Sequence, residues 1–142
     1  MRILGIDYGD TRIGLAISDP LLITAQALGT YRSVNDEEDL KYFRTLAEKY
    51  EIAEIVIGLP LRMNGSSGTR AEKTREFARL LEKTLKLPVI LWDERLTTKQ
   101  AYSILHTQNI SGRRKKNLND QVSAALILSS YLEKRQTDSH GD

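Results

Sequence analysis

The 142 residues include no cysteine. That absence excludes disulfide bridges, thiolate metal centres and cysteine nucleophiles together. Histidine is nearly as scarce, with two in the chain. His106 falls near a predicted helix end, where a cation complements the dipole, and His140 lies in the C-terminal tail, so both are poor bases for catalysis or metal binding. No apolar run approaches the ~20 residues needed to span a bilayer. The start, MRILGID, lacks the apolar stretch of a secretory signal. The expectation is a cytoplasmic protein with no membrane partner. Also missing are the G-x-x-x-x-G-K-[ST] phosphate loop, the G-x-S-x-G elbow and the H-E-x-x-H helix. Strong charge of one sign is lacking too: a net +2 permits a nucleic-acid partner without demanding one.

What is present suits one ordinary domain. Hydrophobic residues make up 40% and charged residues 28% of the chain, enough apolar surface for a core. The expected unit is residues 1–136, with 137–142 as a frayed, flexible tail. Residues 2–7 and 12–18 read as strands of apolar, largely β-branched residues joined by the short link YGDT, hence a hairpin. LLITAQALGTY, at 21–31, reads as a third antiparallel strand. Asn35 opens a helix with Glu38 in the capping-box position. EIVIGLP (54–60) and PVILWDE (88–94) are continuous apolar runs, the mark of strands buried on both faces. Between them the loop LRMNGSSG leads to a helix opened by Thr69 with Glu72 and running to about Lys86. Thr97 with Gln100 predicts a short helix to about His106, QNISGRRKKN a basic loop, and LNDQVSAALILSSYLEKR a last helix. An antiparallel meander followed by strands alternating with helices predicts a five-stranded mixed α/β sheet flanked by helices.

This topology raises a question about acids. The first strand aims into the protein and ends on a carboxylate, Asp7, which must be hydrogen-bonded, neutralised or awaiting a cation. Asp93 and Glu94 end the last strand, and Asp120 sits in the first turn predicted for the last helix. In open α/β sheets, ligands bind at the carboxyl ends of parallel strands. Acidic oxygens drawn there from separate elements suit a hard divalent cation, Mg²⁺ or Mn²⁺. Two such ions would activate water and stabilise the leaving oxygen in phosphodiester cleavage. Each acid also has a plainer explanation. Asp7 could accept hydrogen bonds from the YGDT turn, Asp93 could pair with Arg95, and Asp120 could complement the helix dipole behind an N-cap at Asn117. Asp93 and Glu94 point to opposite faces, so only one of them faces the others.

Four blocks carry a specific resemblance: GIDYGDTRIGLAISD (5–19), GLPLRMNGSSGTRAEK (58–73), WDERLTT (92–98) and GRRKKNLNDQVSAALIL (112–128). In this order and spacing they resemble the signature blocks of the YqgF family. The resemblance implies an RNase H-like fold related to the RuvC Holliday-junction resolvases. It also implies a metal-dependent nuclease that matures the ends of precursor 16S ribosomal RNA, with that RNA or the ribosomal subunit as partner. Carried over residue by residue, it makes Asp7, Glu94 and Asp120 the catalytic and metal-binding acids. One departure stands out. The resolvases place a glutamate where this chain has Gly58-Leu59-Pro60, and a second helix aspartate where it has Ser123. That weakens junction resolution more than phosphodiester cleavage.

The remaining blocks read as substrate-handling parts. LRMNGSSG, with Arg62 and Asn64, lets a phosphate backbone approach closely, and Arg70 and Lys73 lie just beyond it. Arg113, Arg114, Lys115 and Lys116 precede Asp120 and would draw in a polyanion, with Arg12 doing the same from the hairpin. A flexible loop and a solvated basic face are the plainer readings of these segments. Trp92, inside a strand, reads as core. Alternatives to the nuclease are a resolvase acting on branched DNA, which needs a dimer, and a non-catalytic RNA-binding assembly factor. Sugar kinases and actin-like ATPases share the opening strand, Asp-x-Gly turn and hairpin, but need a second such unit and a longer chain. Monomer and homodimer both stay open.

Overall fold

The structure is a computed structural model that describes residues 1–62, 65, 68–97 and 112–140, with backbone alone at 112–119 and 139–140. Strands β1 (Arg2–Tyr8), β2 (Arg12–Ser18) and β3 (Ala25–Arg32) form the meander. Helix α1 (Asp36–Lys49) leads to β4 (Ile52–Leu59), helix α2 (Thr69–Leu85) to β5 (Val89–Asp93), and a single 3₁₀ turn (Glu94–Leu96) follows. A last helix, α3, spans Gly112–His140. The five strands lie in the order β3-β2-β1-β4-β5, with β1 antiparallel to β2 and parallel to β4. The predicted fold class is therefore the observed one. No described helix is long and apolar enough to cross a membrane.

Local chemistry sets most element boundaries. Asn35 caps α1 by accepting a hydrogen bond from the Glu38 amide at 2.9 Å, and four acids occupy the first turn where the dipole favours them. The second capping box does not form. Helix α2 starts one residue early, with Gly68 as its cap and Thr69 inside the helix, so no side-chain cap exists there. Helix α3 departs further from expectation. It begins at Gly112, so the backbone of the basic run is helical and not a loop, and Asp120 lies in the third turn instead of the first. The same helix continues to His140 across most of the predicted tail. The short helix expected after Thr97 falls outside the described residues.

The sheet has two unlike faces. Leu4 and Ile6 of β1, Ile13, Leu15 and Ile17 of β2, and Ile55 and Ile57 of β4 project to one side, where Phe43, Leu46, Phe77 and Leu81 of α1 and α2 cover them. Truncating one of these branched or aromatic side chains to alanine costs about 2–5 kcal/mol. On the other side the strands carry Ile3, Ala16 and Val56 against Ala124, Ala125, Ile127, Leu128 and Leu132 of α3. Glycines let that helix come close. A Cβ on Gly5 would meet Leu128 Cβ at 2.8 Å, and one on Gly14 would meet the Asp120 carbonyl oxygen at 1.9 Å. Trp92, expected as core, is half-buried and packs against this cluster. Its indole N–H donates to Ser130 Oγ at 3.1 Å, and its ring meets Tyr131 edge-on.

Candidate active site

Asp7 shares the α3 face with Ile3 and Gly5 because side chains alternate along β1. It ends the buried part of the strand directly opposite Gly14 of β2. Glu94 reaches the same end by a different route. Trp92 projects toward α3 and Asp93 to the far side, so the residue after the strand returns to the α3 face. The 3₁₀ turn then fixes it. The Thr97 amide and hydroxyl both approach the Glu94 carbonyl oxygen, at 3.2 and 2.8 Å. Ser130 Oγ donates to the Leu96 carbonyl at 3.0 Å, tying the turn to α3. Room for the Glu94 side chain comes from Gly58, where a Cβ would lie 2.8 Å from Glu94 Oε1 and 2.4 Å from Ile127 Cδ1.

Together these features frame a cavity of about 290 Å³. Asp7, Glu94 and Arg70 line it with Thr97 and Ser123, beside Leu126 and Ile127 of α3. Burial pushes the Asp7 carboxyl above its ordinary value of 3.8, and repulsion from Asp120 adds to this while Arg70 opposes it. Burial likewise raises Glu94 above 4.5, with the charges of Asp7 and Asp93 adding and Arg70 again opposing. Two carboxylates thus share one half-buried cavity with Arg70 as the counter-charge to both. Within the pair at the end of β5, Glu94 is the acid that faces Asp7. Asp93 is occupied with Arg95, whose Nη2 lies 2.6 Å from Oδ2, and those hydrogen bonds hold the Asp93 carboxyl below the usual range.

Asp120 sits beside this cavity without lining it. Its Oδ2 is 3.2 Å from Arg12 Nε, an ion pair. The same oxygen is buried and accepts no hydrogen bond, so the contact is one of charge without alignment. Among the described residues, no group of three acidic or histidine side chains closes on one point that could hold a metal ion. The three acids read from the sequence thus arrive at one end of the sheet as a facing pair and a neighbour held by Arg12. The donors nevertheless fit Mg²⁺ or Mn²⁺. They are hard carboxylate oxygens, and one buried atom is left unsatisfied.

The cationic candidates distribute unevenly. Arg70, in the first turn of α2, reaches the cavity itself. Arg62 is exposed and folds back against Gly68 at the start of α2, 3.4 Å from where a Cβ there would stand. Lys73 pairs with Asp10 across the solvent at 3.7 Å. Asn64 lies outside the described residues, as do the side chains of Arg113, Arg114, Lys115 and Lys116. Sequence reasoning missed two polar wall residues. Ser123 was read only as the position of an absent acid, and Thr97 only as a helix cap. A hydroxyl one helical turn beyond Asp120 was the available signal for Ser123.

Comparison with known proteins bears on the fold and the family. The signature of the RuvX family, described as "Holliday junction resolvase", matches residues 1–134. A protein of Halothermothrix orenii named "Putative pre-16S rRNA nuclease" is 48% identical over 141 residues, spanning 99% of this chain and 100% of that one. One of the same name from Koribacter versatilis is 48% identical over 137 residues, spanning 96% and 90%. Among solved structures, T. thermophilus RuvC in complex with Holliday junction substrate aligns with a TM-score of 0.63 at 14% identity, over 95% of this chain and 96% of that one. The fowlpox virus resolvase in complex with Holliday junction DNA gives 0.59 at 13% identity, over 95% and 99%. At such low identity these two speak for the RNase H-like fold alone. The family signature and the near full-length relatives go further: this chain belongs to the RuvX family, the YqgF family of the sequence blocks.

Proposed function

We propose that the chain is a metal-dependent nuclease that hydrolyses phosphodiester bonds and matures the ends of precursor 16S ribosomal RNA in the cytoplasm. The observation that carries this reading is the facing of Asp7 and Glu94 across one cavity with Arg70 beside both. The name borne by relatives 48% identical over nearly the whole chain supports the RNA substrate. Asp7 and Glu94 would hold a Mg²⁺ or Mn²⁺, with Asp120 as the third donor. When bound, such an ion supplies an activated water and charge stabilisation at the leaving oxygen. The chain's own residues prepare the rest. Arg70 offsets the two carboxylates and presents a guanidinium that suits a phosphate. Ser123 and Thr97 offer hydroxyls to the same space. Leu126 and Ile127 form an apolar wall that lowers the local dielectric and strengthens each of these charge interactions.

Cleavage of branched DNA is the second reading, favoured by the family description and the RuvC-like fold. Ser123 in the cavity wall weighs against it, because the resolvases resembled by the sequence carry an acid there. A paired measurement on Asp7→Asn tests the main reading. Cleavage of precursor ribosomal RNA in Mn²⁺ should fall by orders of magnitude, since two contributions of the metal are removed together. The melting temperature in EDTA should hold or rise, because a raised carboxyl pKa marks a charge the fold disfavours. A variant that melts early and cuts normally would show that Asp7 serves the fold. Retained RNA binding with no cleavage by the parent protein would favour a scaffold.

A further inference from the structure

The position of Asp120 is inconsistent with a preassembled three-acid site, and the inconsistency has structure. Its backbone is already seated. The carbonyl oxygen occupies the space a Cβ on Gly14 would need, and Gly14 is the register partner of Asp7. Helix α3 therefore cannot move closer to β2 at this level, and only the Asp120 side chain is free to choose a direction. It chooses Arg12, at 3.2 Å. The pair is misaligned for hydrogen bonding, and although Asp120 Oδ2 is itself buried, the Arg12 side chain is 38% exposed, so a diffusing ligand reaches the guanidinium. A partly exposed pair of this kind biases a population by no more than about fivefold. A phosphate meets the fork of an arginine with aligned, charge-assisted hydrogen bonds, which are stronger. Arg12 also begins β2 immediately after the hairpin turn, on the rim of the same sheet end.

Resting on the nuclease reading above, we infer that Arg12 is a positioning residue with two alternative anionic partners: Asp120 in the free protein, and a backbone phosphate of the nucleic acid in the complex. Binding of the polyanion withdraws Arg12 from Asp120, and the released carboxylate turns into the cavity to join Asp7 and Glu94. The metal site is thereby completed only under a bound strand. Reciprocity follows, because metal at the site removes Asp120 from Arg12 and strengthens phosphate binding there by the same factor.

A double-mutant cycle read by Mn²⁺ binding tests this. Mn²⁺ is titrated, by the loss of free-ion EPR signal and in the absence of nucleic acid, into the full chain, Arg12→Gln, Asp120→Asn, the double variant and Asp7→Asn. Melting in EDTA shows which are folded. Removing a positive charge near a cation site tightens binding whatever the mechanism, so the comparison between backgrounds carries the result. Arg12→Gln should tighten Mn²⁺ binding about two- to fivefold more in the chain that keeps Asp120 than in the Asp120→Asn chain. Equal effects in both backgrounds would overturn the exchange of partners. Mn²⁺ binding that Asp7→Asn leaves unchanged would instead sink the underlying metal site, an outcome distinguishable from the first. Arg12→Lys keeps the charge but loses the fork, and it should behave as the parent protein toward Mn²⁺ while weakening binding of a single-stranded RNA oligonucleotide. Parent-like RNA binding by both Arg12 variants would equally overturn the inference.

Discussion

Gly14 gives the sharpest single test of how the site is built. A Cβ placed there would lie 1.9 Å from the Asp120 carbonyl oxygen and 2.4 Å from its carbonyl carbon. Both are backbone atoms of a long helix, so no rotamer change relieves the clash. For Gly14→Ala to fold, the oxygen must retreat by about 1 Å to reach even a tight contact near 3.0 Å. Overpacking of this order costs about 1–3 kcal/mol. Against a typical total stability of about 5–15 kcal/mol the variant stays folded. At about 2–4 °C per kcal/mol for a chain of this size, its melting temperature should drop by about 2–12 °C. The displacement lifts Asp120 away from Asp7, and a misplacement of about 1 Å in a catalytic constellation can cost about 100-fold in rate. Gly5→Ala serves as the comparison. It presses on Leu128 and Ala124 of the same helix, one to two turns from Asp120. Its contacts, at 2.8 and 3.0 Å, are less severe, so it should lose less stability and show a clearly smaller loss of rate. The assay is cleavage of precursor ribosomal RNA in Mn²⁺ at a temperature where both variants are folded, beside melting curves. Equal rates for the two variants would refute the claim that the β2–α3 approach sets the site, and parent-like melting of Gly14→Ala would refute the packing itself.

Protonation offers a second handle. Asp7 is raised above 3.8 in the fold, so the folded chain binds a proton there more readily than the unfolded chain does. The resulting penalty is full above the folded pKa and vanishes as pH falls toward 3.8. In EDTA, the melting advantage of Asp7→Asn should therefore be largest at neutral pH and shrink on acidification, and an advantage that grows on acidification would contradict the buried-charge account. Neutralising Arg113, Arg114, Lys115 and Lys116 should weaken RNA binding for all sequences alike. It should also lower the log–log salt slope by roughly 0.7–0.9 for each phosphate that is no longer neutralised. An unchanged slope would mark the run as a solvated face.

The order and type of the elements from β1 to β5 could be read from the chain because hydrophobic runs and punctuation agree there. Asn35 with Glu38, the apolar stretch through Ile55–Ile57 and the hairpin link all act locally. The start of α3 was hidden for a physical reason. Arg113 to Lys116 carry no apolar periodicity and read as loop, yet Lys and Arg are good helix formers, and the helix simply continues back through them. Thr69 misled in the opposite way, since a residue that suits a cap also sits comfortably one place inside the helix. At the site, the residue identities were legible but their pairing was not. That Glu94 faces Asp7 depends on where β5 stops and on the space left by Gly58, and neither is marked in the local sequence. The Arg12–Asp120 contact joins residues 108 positions apart and follows only from the close approach of α3 to β2.

The unlike faces of the sheet also imply unlike tolerance to redesign. Under α1 and α2 the contacts are between branched aliphatic and aromatic side chains, and such layers accept volume-conserving exchange at under about 1.5 kcal/mol. A protein engineer seeking heat resistance, or a lineage drifting toward it, has latitude there. On the α3 side the common stabilising exchange of glycine for alanine is closed, because Gly5, Gly14 and Gly58 define the gap at which Asp7 and Glu94 face each other with Asp120 beside them. Thermal adaptation in this fold should accordingly accumulate beneath α1 and α2 and leave the strand glycines under α3 untouched.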